Sequence, residues 1–583
     1  MKRLFGYIRR YRLRYGFGMF CTFATASLAM TIPFLIRDAI NAIERGHSER
    51  LVPLVEGIAL AAVGMGLARW FSRFMLFNCA RDIEYDLRKD LYAHLLHLGP
   101  NFYQRLRTGD LMSRLINDLT AVRMMVGIGV LTFVNTPLYW IYALAIMLSL
   151  NVPLTLASIA PYVFLFAVMW RLSHSLMERS LLVQEGLGAI GAKVQESLSG
   201  IHVVKAYNFE DHEAARFRSL NDEFNQHNLA LARLRGALLP LIRGAAASST
   251  MIVLIYGGSM VMAKRMSIGD LVAFMSYLGL LAWPTTAFGW TISLYQRGKA
   301  AMRRIDEVFN SAAGVAEGNG DAIKLEVAGA VEWDNVSFAY SSHHDGNGAT
   351  IENALTNISV RVAPGEKLAI VGRTGAGKST MVKLLTRLIE PTSGRVMLDG
   401  RDVSEYSLGA LRRTIGMVPQ EPVLFSDTLA RNIAFGRVDA PADVIIESAR
   451  TAGLEGEIAA LPMGLETIVG ERGMSLSGGQ KQRVTIARLL AYDPAVVVLD
   501  DALSSVDTET ERAVLSSLGE SVRGRTTIVV SHRASTVRDA DQIIVLERGE
   551  IVERGTHEEL MATRGVYAAL FRRQLLEEEL ASY

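Results

Sequence analysis

Gly372-Arg373-Thr374-Gly375-Ala376-Gly377-Lys378-Ser379-Thr380 fits G-x-x-x-x-G-K-[ST], the pattern of a phosphate-binding loop. Its surroundings decide the reading. The apolar run Leu368-Ala369-Ile370-Val371 precedes it and reads as a strand, and Met381-Val382-Lys383-Leu384-Leu385 follows and reads as a helix. Strand, loop and helix in that order is the setting such a match requires. The glycines let backbone N–H groups converge on phosphate oxygens, and the helix start adds its positive dipole end. Lys378 would reach the β- and γ-phosphates, and the Ser379 hydroxyl would serve a Mg²⁺ site.

Further along, Val496-Val497-Val498-Leu499-Asp500 is an apolar strand ending in a carboxylate, which in phosphate-loop ATPases holds Mg²⁺. Asp501 comes next, then Ala502-Leu503-Ser504-Ser505-Val506-Asp507. Upstream lies Leu476-Ser477-Gly478-Gly479-Gln480, followed by Lys481 and Arg483. Ile528-Val529-Val530-Ser531-His532 ends another strand on a histidine. Val418-Pro419-Gln420 places Gln420 where it would reach the metal or an attacking water. Strand-like and helix-like runs alternate through this half, as in a mainly parallel α/β domain.

The first half of the chain has a different texture. Half of the 583 residues are apolar, which points to a membrane-embedded part. Six apolar stretches, near 16–36, 51–71, 126–150, 153–170, 238–262 and 271–295, each approach the roughly 20 residues a helix needs to cross a bilayer. Asn151-Val152-Pro153 reads as a tight turn between the third and fourth, without Lys or Arg, as expected outside. The charged segments 72–125 and 171–235 read as helices projecting into the cytoplasm, where the positive-inside rule also puts the N-terminus. Residues 1–15 are basic and aromatic, with no acidic residue, and read as an interfacial helix rather than a targeting peptide. The net charge of +2 gives no reason to expect nucleic acid as a partner. Cys21 and Cys79 make neither a disulfide framework nor a zinc pattern and read as packed thiols. His343, His344 and Asp345 sit in an insertion-like loop, read as a solvent loop because no third ligand lies nearby.

In order and spacing, the phosphate loop, Gln420, residues 476–480, Asp500, Asp507 and His532 resemble an ATP-binding cassette. With six spans ahead of one cassette, the chain is similar to exporters of that family over nearly its whole length. Thr467-Ile468-Val469-Gly470-Glu471-Arg472-Gly473 looks like a segment peculiar to such exporters. The resemblance implies a membrane α-helical domain of six transmembrane helices with long cytoplasmic extensions, followed by a phosphate-loop α/β ATPase domain. The expected divisions are 1–15 interfacial helix, 16–309 transmembrane domain, 310–327 linker, 328–570 cassette and 571–583 tail. The implied cofactors are ATP and Mg²⁺. Tyr340 would stack on adenine. Gly372 to Thr380, Gln420 and Asp507 would bind nucleotide, together with Ser477, Gly478, Gly479 and Gln480 of a second subunit. Ser379, Gln420 and Asp500 would hold the metal. Asp500, Asp501, Gln420 and His532 would form the catalytic set. Coupling helices would fall near 101–110 and 207–211, each a stretch of aromatics among charges.

One residue departs from the family pattern. After Asp500 a fully active cassette carries glutamate, and here stands Asp501, one methylene shorter. General-base chemistry needs heavy atoms within about 2.6–3.2 Å, and a shortfall of one C–C bond costs on the order of 10²-fold. The combination resembles the weakened-site half of heterodimeric exporters. The expectation is therefore ATP-driven export of amphipathic, drug-like or lipid-like compounds, with a different half-transporter as partner and the lipid bilayer around both. The alternatives are a homodimeric exporter or flippase using Asp501, and an ATP-sensing regulator that moves nothing. Importers are disfavoured because they usually keep spans and cassette on separate chains. Six spans on one chain with no cleavable leader fit a multi-pass protein of a bacterial inner membrane, with cassette and N-terminus in the cytoplasm. Trp140, Tyr139, Tyr142, Met251, Tyr256, Met260, Met275, Tyr277 and Trp290 are the candidate cavity residues, and they suit lipid contact and helix packing equally well.

Overall fold

The computed structural model describes residues 1–106, 108–311, 314–315, 327–340, 353–470, 476–506, 508–531 and 533–581. The chain forms two units. One comprises Met1–Leu96 with Thr108–Asn310, the other His97–Arg107 with Ser311–Tyr583.

The first unit begins with α1 (Lys2–Arg10). Six helices long and apolar enough to cross a membrane follow: α2 (Arg12–Glu44), α3 (Ser48–Leu96), α4 (Thr108–Leu150), α5 (Val152–Ser199), α6 (Glu210–Met262) and α7 (Ile268–Phe309). Each contains one of the six apolar stretches read from sequence. The longest has 53 residues, about 80 Å at 1.5 Å per residue, so it runs far beyond a hydrocarbon core of about 30 Å. The turn at Asn151 is set by chemistry: its side chain accepts the Leu154 N–H at 2.9 Å and caps α5, a contact worth about 1 kcal/mol. The connection between α3 and α4 is not one continuous helix. It breaks at Gly99, restarts over Pro100–Arg105 with proline in the first turn, and breaks again before α4. Residues His97–Arg107 belong to the second unit, where a Cβ on Gly99 would lie 2.8 Å from the Gly314 Cα.

Within the first unit, α1 is moored to α3: the Tyr7 hydroxyl donates to Asp90 at 2.5 Å and Arg10 pairs with Asp86, while Arg14 at the start of α2 pairs with Asp82. Phe5, on the other side of α1, stays exposed. Cys21 and Cys79 are free and buried, as packed thiols should be. Pro33, Pro137, Pro161, Pro240 and Pro284 lie inside α2, α4, α5, α6 and α7.

The second unit is α/β. An antiparallel sheet has the order β2-β1-β4-β5, with β1 Val331–Ala339, β2 Asn353–Val362, β4 Ser393–Leu398 and β5 Arg401–Asp402. The second sheet has the order β10-β9-β3-β8-β7-β6. Its strands are β3 Lys367–Gly372, β6 Ile415–Val418, β7 Val496–Asp500, β8 Thr526–Val530, β9 Gln542–Glu547 and β10 Glu550–Gly555. All its neighbours pair in parallel except the β9–β10 hairpin. β7 and β8 are buried along their whole length, which fits the apolar runs Val496–Leu499 and Ile528–Val530. Between the sheets lies α8 (Lys378–Leu385), whose Met381, Val382, Leu384 and Leu385 join a core with Trp333, Leu355 and Ile370.

Candidate functional site

The parallel register fixes the site. Ile370 of β3 and Asp500 of β7 both align with Val530 of β8, so the phosphate loop and the Asp500 carboxylate emerge at the same edge. Ligands of open parallel sheets bind at that carboxyl edge. Here the edge opens into a cleft of about 870 Å³ lined by Tyr340, Asn353, Ala354, Gly372–Gly375, Gly377–Thr380, Gln420, Asp500, Asp501, Val530, Ser531, Leu570 and Arg573.

The loop's shape depends on Gly377. It turns at φ +102°, and a Cβ there would meet the Ala354 carbonyl at 2.5 Å. That left-handed turn admits glycine with least strain and starts α8 directly beneath the loop. Lys378 folds back and donates to the carbonyls of Gly372 at 2.8 Å and Arg373 at 2.9 Å. Burial lowers its pKa, and the nearby Asp501 and Asp500 partly restore it. An ammonium in this loop is suited to an anionic ligand.

Asp500 is 3% exposed and accepts the Ser379 hydroxyl at 3.0 Å. Burial raises its pKa, the Ser379 bond and Lys383 oppose that, and Asp501 adds to it. Gln420 donates through Nε2 to Asp501 at 3.4 Å, leaving its carbonyl oxygen for another partner. Ser379, Gln420 and Asp500 thus offer an all-oxygen donor set, which fits a small hard divalent cation such as Mg²⁺. Among the described residues, no cluster of three or more His, Cys, Asp or Glu forms a metal site.

Asp501 has φ +51°, and its N–H donates to the Val530 carbonyl at 2.9 Å. Its short side chain therefore leaves from a backbone already pinned to β8. Tyr340 sits at the cleft with its hydroxyl 3.2 Å from that of Thr380 and its ring edge-on to Phe338 at 4.8 Å.

The other glycine-rich stretch forms a separate surface. Ser477 caps α9 (Gly478–Tyr492) in a reciprocal capping box with Gln480. None of residues 477–480 lines the cleft. Behind α9, Gln482 accepts the Ser505 N–H and donates to Ser504, each at 2.9 Å, which ties this surface to the turn after Asp501. Asp507, His532, the loop with His343, His344 and Asp345, residues 471–473 of the exporter-like segment and most of the linker lie outside the described residues.

The sequence reading missed several side chains. Asn353, Leu570 and Arg573 line the cleft. The last two come from α10 (Val566–Ala581), a helix that continues through the expected start of the tail and packs Tyr567 beside Ala369 and Val371 of β3. Arg533 pairs with buried Glu511 and donates to the Ser504 carbonyl at 2.9 Å. No local motif marks these residues; only tertiary pairing brings them in.

Comparison with known proteins gives a consistent picture. Residues 15–285 match the ABC transporter transmembrane region and residues 355–504 match the ABC transporter family. A probable multidrug resistance ABC transporter ATP-binding/permease protein of Bacillus subtilis is 35% identical over 99% of this chain and 98% of its own length. A multidrug resistance-like ATP-binding protein of Escherichia coli is 34% identical over 98% and 96%. The structure of a bacterial Atm1-family ABC exporter with ATP bound superposes with a TM-score of 0.79 at 28% identity, covering 97% of this chain and 99% of that one.

Proposed function

The chain belongs to the ABC transporter family, as a multi-pass ATP-hydrolysing exporter with six spans and a cassette in one polypeptide, and from that premise we propose that it is the weakened-site half of a heterodimer. In this reading it exports amphipathic or lipid-like compounds across a bacterial inner membrane, with cassette and N-terminus in the cytoplasm. The relatives named for multidrug resistance support the substrate class.

The observation that carries the dimer is the separation of the cleft from the signature surface. The cleft has a phosphate loop and carboxylates, while Ser477 to Gln480 stand outside its wall. A second subunit's signature would close the cleft, and this chain's own would close the partner's. Tyr340 would meet adenine. Lys378 would meet the terminal phosphates. Ser379, Gln420 and Asp500 would hold Mg²⁺, which supplies charge neutralisation at those phosphates. Asp501, with Gln420 beside it, would orient the attacking water, and Asp507 and His532 would complete the site. The aspartate is what makes the pair unequal: its carboxylate falls short by about one bond, enough for on the order of 10²-fold.

A homodimer is the second reading, favoured by the Gln420–Asp501 contact, which keeps the shorter carboxylate in the cleft. Co-reconstitution with the partner chain in vesicles tests the proposal. Heterodimers should accumulate a fluorescent amphiphile with ATP, and chains reconstituted alone should not. Equal accumulation by this chain alone would sink the heterodimer reading.

A further inference from the structure

The membrane unit contains a cavity that the nucleotide chemistry does not use. It measures about 300 Å³ and lies among α4, α5 and α7, with Thr136, Trp140, Ile159, Tyr162, Phe166 and Thr285 in its wall. All three helices carry a proline at this level: Pro137 also lines the cavity, Pro161 precedes Tyr162, and Pro284 precedes Thr285. Each proline removes one backbone hydrogen bond from its helix.

The wall specifies a chemistry. No ammonium, guanidinium or carboxylate lines it. An unpaired charge entering such a wall loses its hydration without compensation, so a neutral occupant is favoured. Trp140 and Tyr162 meet edge-on, with ring centroids 5.8 Å apart at 87°, an arrangement that presents aromatic surface to a planar guest. Tyr162 is 1% exposed, and its hydroxyl has no hydrogen-bond partner among the described residues. Buried polar groups are nearly always paired, so this one stands out. Val163 and Phe166, both in the wall and both exposed, form the rim. The volume is at the small end for ligand pockets, which limits the guest to one or two rings.

We propose that this cavity is a recognition subsite for neutral, one- or two-ring aromatic groups bearing a carbonyl or ether oxygen, which takes the hydrogen bond of the Tyr162 hydroxyl. The site discriminates against permanent cations and anions. Only the identification of its guest as cargo rests on the export reading.

Benzophenone is a suitable probe, being neutral, two-ringed, with one carbonyl, and photoreactive towards nearby C–H bonds. The full chain in its native assembly, in lipid nanodiscs without ATP, is irradiated with it, and adducts are mapped by peptide mass spectrometry. Adducts should concentrate at residues 136–140 and 159–166. The Tyr162→Phe variant should need about ten times more probe for half-labelling, the effect of losing one hydrogen bond. Ile159→Trp, which fills the cavity without touching the hydroxyl, should abolish those adducts. A trimethylammonium derivative of benzophenone should not label there. Labelling spread evenly over exposed apolar positions such as Phe20, Leu60 and Trp170 would overturn the proposal. So would equal cavity labelling by the cation, or an unchanged Tyr162→Phe. Cavity labelling without ATP-driven accumulation in vesicles would defeat the export reading alone, and accumulation without cavity labelling would defeat the subsite alone.

Discussion

The phosphate loop and the signature turn are both helix starts, yet they are built in opposite ways. The phosphate loop is enclosed: it sits in a cleft, with Lys378 folded onto its carbonyls and Asp500 buried behind Ser379. The signature turn is open: Ser477 and Gly478 are exposed, and the capping box is satisfied within its own helix. A helix start inside a pocket can hold phosphate alone, because walls and charges are already in place. A helix start on an open surface needs another body to supply the walls. In the proposed dimer one chain would therefore hold two unlike halves of a site, and any asymmetry between the two sites would follow from which chain supplies which half.

The largest expected effect falls on the enclosed half. Lys378→Ala should lower turnover at this chain's own phosphate loop by about 10³, the scale of losing one fixed electrostatic donor in a closed site. Single-turnover hydrolysis in the assembled transporter measures it. A loss under tenfold would mean the cleft does not work as the enclosed half.

Next comes the residue that sets the asymmetry. Asp501→Glu should raise turnover by on the order of 10²-fold, since it restores the missing methylene. An unchanged rate would dissolve the distinction between the two sites.

The open half should respond more gently and elsewhere. Ser477→Ala should leave nucleotide affinity at this chain's own loop within about twofold and reduce hydrolysis at the composite site it completes by about tenfold, as one hydrogen bond to a charged group would. Isotope-labelled nucleotide occupancy of each chain separates the two effects. A loss of affinity at its own loop would contradict the separation of the halves.

The smallest effect concerns pH. Burial raises the pKa of Asp500 above that of an exposed aspartate, about 3.9. As pH falls, Asp500 therefore takes up its proton while exposed carboxylates are still ionised, and in the proposed site Mg²⁺ would compete with that proton. Apparent Mg²⁺ affinity should fall a few-fold over that window in the native chain, and Asp500→Asn should flatten the dependence. A dependence that survives in Asp500→Asn would assign the proton to another group.

The comparison also shows what a sequence reveals. The six spans were legible because a helix in lipid must be apolar along about 20 residues. The phosphate loop was legible because its chemistry lies in one unbroken stretch of nine residues. Tyr340 and Gln420 line the cleft. Arg573 and Leu570 were invisible, since they reach the cleft only because Tyr567 anchors α10 beside β3. The Arg533–Glu511 pair joins residues 22 apart through tertiary packing, and no periodicity encodes it. The break around Gly99 lies beside the stretch 101–110 that was read as a separate coupling helix, and the Gly99-Pro100 dipeptide there marks a turn. The membrane cavity was the least legible. Of the nine aromatics and methionines picked as candidates, Trp140 lines it, while Tyr277 is buried in packing with its hydroxyl donating to Met30.

The central claim is that this chain supplies one strong and one weak half of an unequal pair. Native mass spectrometry of the complex, gently extracted from the cells that make it, tests that most directly. The account expects this chain with a different half-transporter at one to one. A complex containing two copies of this chain and nothing else would contradict it, and Asp501 would then have to serve both sites.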